Sequence, residues 1–290
     1  MTHLIDNKGD KLFTTIFYPN GGKETIILLH GGPGVPDDLV DVVKALSQKF
    51  QVITFHQRGT QKSLCKSNNY SMDAYISDIE TIAAYCNVKK FHLFGHSWGG
   101  LYAQIYAQKH PEQILSLLLC NPGSGTGNEW KQTEKEVLEY NKSKCTSEEW
   151  MKMGINSLLG LLGNDNAYKR LFKQVIKNYN KDFVKTNNVG IDLDNIKAAP
   201  INHTRTEILK YPLLKQIKSP DFPVTIIYGA KDIYKTSKEF VVNRYPTAKV
   251  WTIENCGHFP WLHNPAKFKL IVNQIVVHPL KQTSNVAEVH

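Results

Sequence analysis

Apolar runs rich in isoleucine, valine and leucine recur along this chain with helical patterns between them, and several release straight into glycine. Residues 25–32 (TIILLHGG), 51–59 (QVITFHQRG) and 224–229 (VTIIYG) have this form. A strand buried on both faces reads as a continuous apolar run, and strands alternating with helices build a mainly parallel sheet covered on both sides. An α/β architecture follows. The start differs: residues 14–19 (TTIFYP) read as the second arm of a hairpin turning at Asn7-Lys8-Gly9-Asp10. Residues 71–88 place Tyr75, Ile79, Ile82 and Ala83 at helical spacing behind Ser71, a side chain suited to an N-cap. Residues 89–97 and 114–123 then read as strands, with a helix at 98–111 stopped by Pro111.

The alternation breaks at Gly123. From 124 to 215 helical patterns dominate, among them residues 129–144 and 167–179, and no strong strand run appears. Strands return at 222–232 and 248–255, with a helix at 237–246 between them and a closing helix at 267–276. A chain of 290 residues fits one main core with a large insertion. The expected organisation is a core of residues 1–123 and 216–290, with a helical cap, 124–215, inserted after the sixth strand. Such a cap covers the strand ends, where open sheets bind ligands.

The net charge of +9 raises the question of nucleic acid. The basic residues are almost all scattered lysines, with Arg58, Arg170, Arg205 and Arg244 as the arginines, so the charge reads as a solvated surface and no nucleic-acid partner is expected. No run approaches a membrane span, and the first residues lack the apolar stretch of a signal peptide. The five cysteines are unclustered and without metal spacing, and read as reduced thiols in a cytoplasmic protein.

Residues 91–100 (FHLFGHSWGG) carry the chemistry. Gly95, Ser97 and Gly99 form G-x-S-x-G after a strand and before a helix, the setting in which this motif is a nucleophile elbow. The turn exposes the Ser97 hydroxyl and leaves the Trp98 amide at a helix N-terminus, where an oxyanion is favoured. A serine needs a base, and the base an orienting acid. Asp232 and His258 each follow a strand, and Ser, Asp, His is the chain order of this arrangement. Glu254, inside a strand end, and Asp221, ahead of its strand, are weaker acids for the role, and the His96 side chain is expected to turn away from Ser97. The loop His30-Gly31-Gly32-Pro33-Gly34 supplies the second oxyanion donor, Gly32, with His30 bracing it. His30, Gly31, Trp150 and Phe259 are the expected substrate contacts, from an aromatic set that includes Trp98, Trp130 and Trp261. No nucleotide motif or zinc spacing occurs, so neither cofactor nor metal is expected.

These residues together resemble an α/β-hydrolase, and more narrowly the prolyl aminopeptidase (proline iminopeptidase) branch. HGGPG at 30–34 is the most specific mark. FHQRGTQKS at 55–63 resembles that branch's F-D-Q-R-G-x-G-x-S, with His56 in place of aspartate and Gln61 in place of glycine. GHSWGG, GAKD and GHFPWLHNP match the nucleophile, acid and histidine segments. The resemblance implies Ser97 as nucleophile, His258 as base, Asp232 as acid, and the amides of Gly32 and Trp98 as oxyanion hole. The branch holds a free substrate ammonium with cap glutamates in W-x-x-W-E and E-x-H-Y-F segments. Here no glutamate follows Trp150, and Ile201 stands where the second would be, which leaves Glu148, Glu149 or Glu207 as substitutes. The expected function is a serine hydrolase acting through an acyl-enzyme on a small ester, amide or lactone. The alternatives are removal of an N-terminal residue from a short peptide, and a non-catalytic scaffold that binds a ligand under the cap.

Overall fold

The computed structural model describes residues 1–19, 24–183 and 191–274. β1 (Thr2–Asn7) and β2 (Asp10–Phe17) form the N-terminal hairpin, whose second arm begins at Asp10, earlier than the apolar pattern suggests. Lys8 and Gly9 close the turn at φ +55° and +93°, both left-handed, as a tight hairpin turn of this twist requires. β3 (Thr25–Leu29), α1 (Val40–Leu46), β4 (Gln51–Phe55), α2 (Met72–Tyr85), β5 (Phe91–His96), α3 (Trp98–Lys109) and β6 (Ile114–Cys120) follow. Next come the helices α4 (Gly127–Lys144), α5 (Ser147–Leu161), α6 (Asp165–Asn180) and α7 (Ala198–Lys210). β7 (Val224–Gly229), α8 (Lys238–Arg244), β8 (Lys249–Ile253), α9 (Pro260–His263) and α10 (Pro265–Asn273) complete the described chain. Residues 275–276 of the expected closing helix lie outside the described residues.

The strands form one sheet in the order β1-β2-β4-β3-β5-β6-β7-β8. β2 is antiparallel to both β1 and β4, and the remaining pairs are parallel. Side chains alternate across it with the period of two that a strand imposes. Ile27, Leu29, Leu93 and Leu117 pack on the same side as α2 and α3, while Ile26, Leu28, Phe94 and Leu118 pack with α1 and α10. Each fully buried leucine or isoleucine contributes about 1.5–3 kcal/mol. Ser71 caps α2, its hydroxyl accepting from the Ala74 amide at 3.2 Å.

All the parallel strands end on one edge, so β3, β5, β7 and β8 release their loops toward the same space. The helical insertion between β6 and β7 is tied back to the core by side chains. Thr204 on α7 bonds the Tyr75 hydroxyl at 2.7 Å, and Glu129 on α4 pairs with the buried Arg244 at 2.5 Å.

Candidate active site

β5 ends at His96 and α3 begins at Trp98, so Ser97 alone makes the turn between them. It sits at φ +53°, ψ −120°, a strained backbone for a non-glycine residue. A Cβ at Gly95 would lie 2.3 Å from the Gly99 carbonyl oxygen, and one at Gly99 would lie 2.2 Å from that of Leu29. Backbone on backbone leaves no room for a side chain, which is why the serine is flanked by glycines. The Ser97 amide donates to Cys120 at 3.2 Å, and its carbonyl accepts from Gly100 and Gly123, so the elbow is held from both sides.

The His30–Gly34 loop lies against this elbow. A Cβ at Gly31 would sit 3.0 Å from the Ser97 Cβ and 2.8 Å from His96 Nδ1. Gly32 takes φ +62°, in a turn closed by the Val35 amide on its carbonyl at 2.9 Å. Trp98 is the first residue of α3, and the leading amides of a helix have no intrahelical acceptor. Gln57 fastens loop to elbow: its side-chain amide donates to the His30 carbonyl at 2.9 Å and accepts from the Trp98 indole at 2.8 Å. His30 differs from expectation as a substrate contact. Its Nδ1 bonds the Gly31 carbonyl at 2.8 Å, and its Nε2 accepts from the Gln57 amide at 3.3 Å. Burial, partly opposed by the Gly31 bond, lowers its pKa to about 4 and keeps it a neutral brace.

Asp232, after β7, and His258, after β8, meet at 2.7 Å between Oδ1 and Nδ1, both buried. A carboxylate accepts, so Nδ1 carries the proton and the Nε2 lone pair is left to act. The two loops are stapled by backbone bonds, Ala230 to the Ile253 carbonyl at 2.9 Å and Lys231 to that of Cys256 at 2.8 Å. Asn121, at the end of β6, bridges them, donating to the Gly257 carbonyl at 3.0 Å and accepting from the Gly229 amide at 2.9 Å.

Tyr234, Tyr179 and Glu136 reach this site with no sequence signal. The Ser97 hydroxyl bonds Tyr234 Oη at 3.2 Å rather than His258. Tyr234 and Tyr179, the latter from α6, set their rings edge-on to His258, with centroids at 5.3 and 5.2 Å. His96 turns beneath the site: its ring is 4.8 Å from that of His258, and its Nε2 donates to the His258 carbonyl at 2.9 Å. Burial and the neighbouring His258 hold its pKa well below the usual value, so it too is a neutral brace. Glu136 on α4 accepts from the amides of Lys235, Thr236 and Ser237, at 2.8, 3.0 and 3.0 Å, and so pins the loop that carries Asp232 and Tyr234.

Of the expected aromatic contacts, Phe259 lies 5.6 Å from His258 and 6.2 Å from Tyr179. Trp150 is half-buried on α5 against the cluster that contains Tyr179 and Phe259. Trp98 is a core residue stacked on Tyr102, Trp130 donates to Glu134, and Trp261 packs edge-on against His96. Glu148 pairs with Lys152 and Glu149 with Lys177, and Glu149 also closes a capping box with Thr146. Glu207 is half-buried on α7. Glu254 lies exposed beyond the end of β8 rather than inside the strand, and Asp221 is exposed ahead of β7.

A cavity of about 840 Å³ opens elsewhere, lined by Phe13, Asp38, His56, Gln61 and Asp192 among others. The two departures from the F-D-Q-R-G pattern face it, His56 bonded to Asp38 at 3.1 Å and Gln61 to Asp192 at 3.0 Å. It holds neither Ser97 nor His258, and the convergence of groups at the strand ends is the stronger sign of chemistry. Among the described residues no group of histidine, cysteine or acidic side chains is placed to hold a metal, and no helix is long and apolar enough to cross a membrane.

The family defined by the alpha/beta hydrolase fold matches residues 24–144. The chain is 24% identical to a proline iminopeptidase of Heyndrickxia coagulans, covering 94% of this chain and 97% of that one. Its structure is similar to that of a proline iminopeptidase from Mycobacterium smegmatis, with TM-score 0.66, 16% identity, and 94% and 97% of the two chains covered. It is also similar to a marine microorganism esterase, with TM-score 0.61, 22% identity, and 91% and 99% covered. Fold and similarity together define the class: the chain has the alpha/beta hydrolase fold, and the proteins it is similar to include hydrolases. Within that class it resembles the proline iminopeptidase branch.

Proposed function

We propose that the chain is a serine hydrolase that cleaves a small ester, amide or lactone lacking a free ammonium group. Ser97 attacks the carbonyl carbon while His258 Nε2 takes its proton, and Asp232 holds the resulting imidazolium. The amides of Gly32 and Trp98 receive the oxyanion. The leaving group departs with the proton from His258, and water repeats the sequence on the acyl-enzyme. The helices of 124–215 act as the cap that selects the acyl group. Five thiols without a disulfide suit the reducing cytoplasm.

The observation that carries the reaction class is the strained serine beside the buried 2.7 Å Asp232–His258 pair. The substrate class rests on Ile201, in the place where the resembling branch has a glutamate. A Cβ on Gly34 would lie 2.6 Å from Ile201 Cγ1, so this side chain presses on the His30–Gly34 loop, within an apolar cluster with Val35 and Tyr168. An ammonium brought against Ile201 would lose its water to an apolar side chain where that branch offers a carboxylate, a cost of several kcal/mol or more.

Near full-length similarity to proline iminopeptidases supports a second reading, release of an N-terminal proline. Turnover of a proline anilide with a free amine and of a short-chain acyl ester, by the wild type and by Ser97→Ala, separates the two. The expected result is ester hydrolysis alone, falling by at least ~10³-fold in Ser97→Ala. Anilide turnover lost in the mutant would establish the aminopeptidase instead. Silence toward both substrates and toward a serine-directed phosphonate, in folded protein, would leave a ligand-binding scaffold.

A further inference from the structure

Tyr234 is buried two residues beyond the acid, with its hydroxyl 3.2 Å from Ser97 Oγ and its ring perpendicular, at 87°, to the His258 ring. It is thus a side chain that the structure sets against both nucleophile and base. Its place is held from behind by Asp232, whose carboxylate accepts from the Ile233 amide at 2.8 Å, and from ahead by the bonds of Glu136 to residues 235–237. A phenol so fixed sits where it must take part in what happens at Ser97 Oγ.

The side of the site on which it lies decides what it does. The oxyanion forms toward the amides of Gly32 and Trp98, while the leaving group must face His258 in order to receive its proton. Tyr234 lies against His258, and therefore on the leaving-group side. Burial raises the phenol pKa above its ordinary value, so the group stays neutral and offers a donor proton at every pH at which the protein works.

Resting on the serine hydrolase reading above, we propose that Tyr234 is a catalytic residue that donates a hydrogen bond to the leaving-group atom as the tetrahedral intermediate collapses. The bond between the carbonyl carbon and that oxygen or nitrogen breaks, and its electron pair stays on the leaving atom. The proton that His258 took from Ser97 passes to the same atom, while Tyr234 keeps its own proton throughout. In deacylation the same hydroxyl orients the attacking water. Before substrate arrives the phenol is satisfied by Ser97, which accounts for the observed bond.

The test is Tyr234→Phe, which keeps the ring and its packing and removes only the hydroxyl. A series of acetate esters is hydrolysed by wild type and variant, with leaving groups running from p-nitrophenol to simple alcohols. A weakly basic leaving group needs little help, so kcat/KM is expected to fall only a few-fold for p-nitrophenyl acetate and by about 10–100-fold for alkyl acetates. The dependence on leaving-group pKa therefore steepens. Each ratio comes from a single preparation, so a partly unfolded variant does not change it. An equal loss across the series, no loss, or a gain in rate would overturn the proposal while leaving the serine hydrolase reading intact. A wild type inactive on the whole series, or activity that survives Ser97→Ala, would overturn both.

Discussion

The loops at the strand ends and the helical insertion are held together by different kinds of contact. At the strand ends the constraint is backbone against backbone: Gly95 meets the Gly99 carbonyl, Gly99 that of Leu29, and Gly229 that of Gly257, the last at 2.3 Å from where a Cβ would stand. In the insertion it is side chain against side chain. Glu134 grips Arg205 through Nε and Nη2 at 2.5 and 2.8 Å to join α4 and α7, and Lys177 reaches Glu149 to join α6 and α5. The first kind of contact admits almost no substitution, whereas the second can be exchanged pair by pair. Such a fold can hold its strand-end loops fixed while the side chains of the insertion vary.

Substitutions of graded severity would break or sharpen this contrast. Gly99→Ala forces a methyl to within 2.2 Å of the Leu29 oxygen, and is expected to lower stability by about 3 kcal/mol or more and to abolish hydrolysis. Denaturant unfolding beside an ester assay checks both, and a stable, active variant would show that the elbow is looser than its contacts imply.

Glu136→Gln tests a place where the insertion grips the loop that carries Asp232 and Tyr234. Burial alone would raise the Glu136 pKa, but the bonds from Ser237, Lys235, Thr236 and Gln132 outweigh it and bring it to about 2. A carboxyl lowered on folding adds stability that is complete above its unfolded pKa, near 4.5, and that fades as pH falls toward 2. The variant is expected to lose about 2–4 kcal/mol at neutral pH, with the gap to wild type closing on acidification. Its kcat should also fall, because the segment bearing Tyr234 is released. Unfolding curves across that pH range are the measurement.

Glu134→Gln, confined to the insertion, is expected to cost about 1 kcal/mol and to leave kcat on a small ester unchanged. A change in kcat there would mean that the insertion governs the chemistry as well as the choice of substrate.

The residues that could be read in advance are those whose role is local. The hairpin turn at Lys8-Gly9, the Ser71 cap, the elbow and the loop at residues 30–34 each require a residue type within a few positions of a strand or helix end. Asp232 and His258 were legible for the same reason, since each follows an apolar run. Position along the chain does not say which aromatic residues line the site or what His30 bonds: Trp98 turns into the core beside Tyr102, and His30 spends its ring nitrogens on the Gly31 carbonyl and the Gln57 amide.

The order of strands and helices, the elbow and the identity of the residues at the strand ends were determined by the sequence alone, because periodicity and glycine act over a few residues. Tertiary structure alone decided that Tyr234 would meet Ser97 from 137 positions away, that Glu136 would pin residues 235–237, and that Ile201 would lie on Gly34. Contacts of that range depend on where a parallel sheet delivers its strand ends and on how an insertion folds back over them. No local pattern in the chain encodes either.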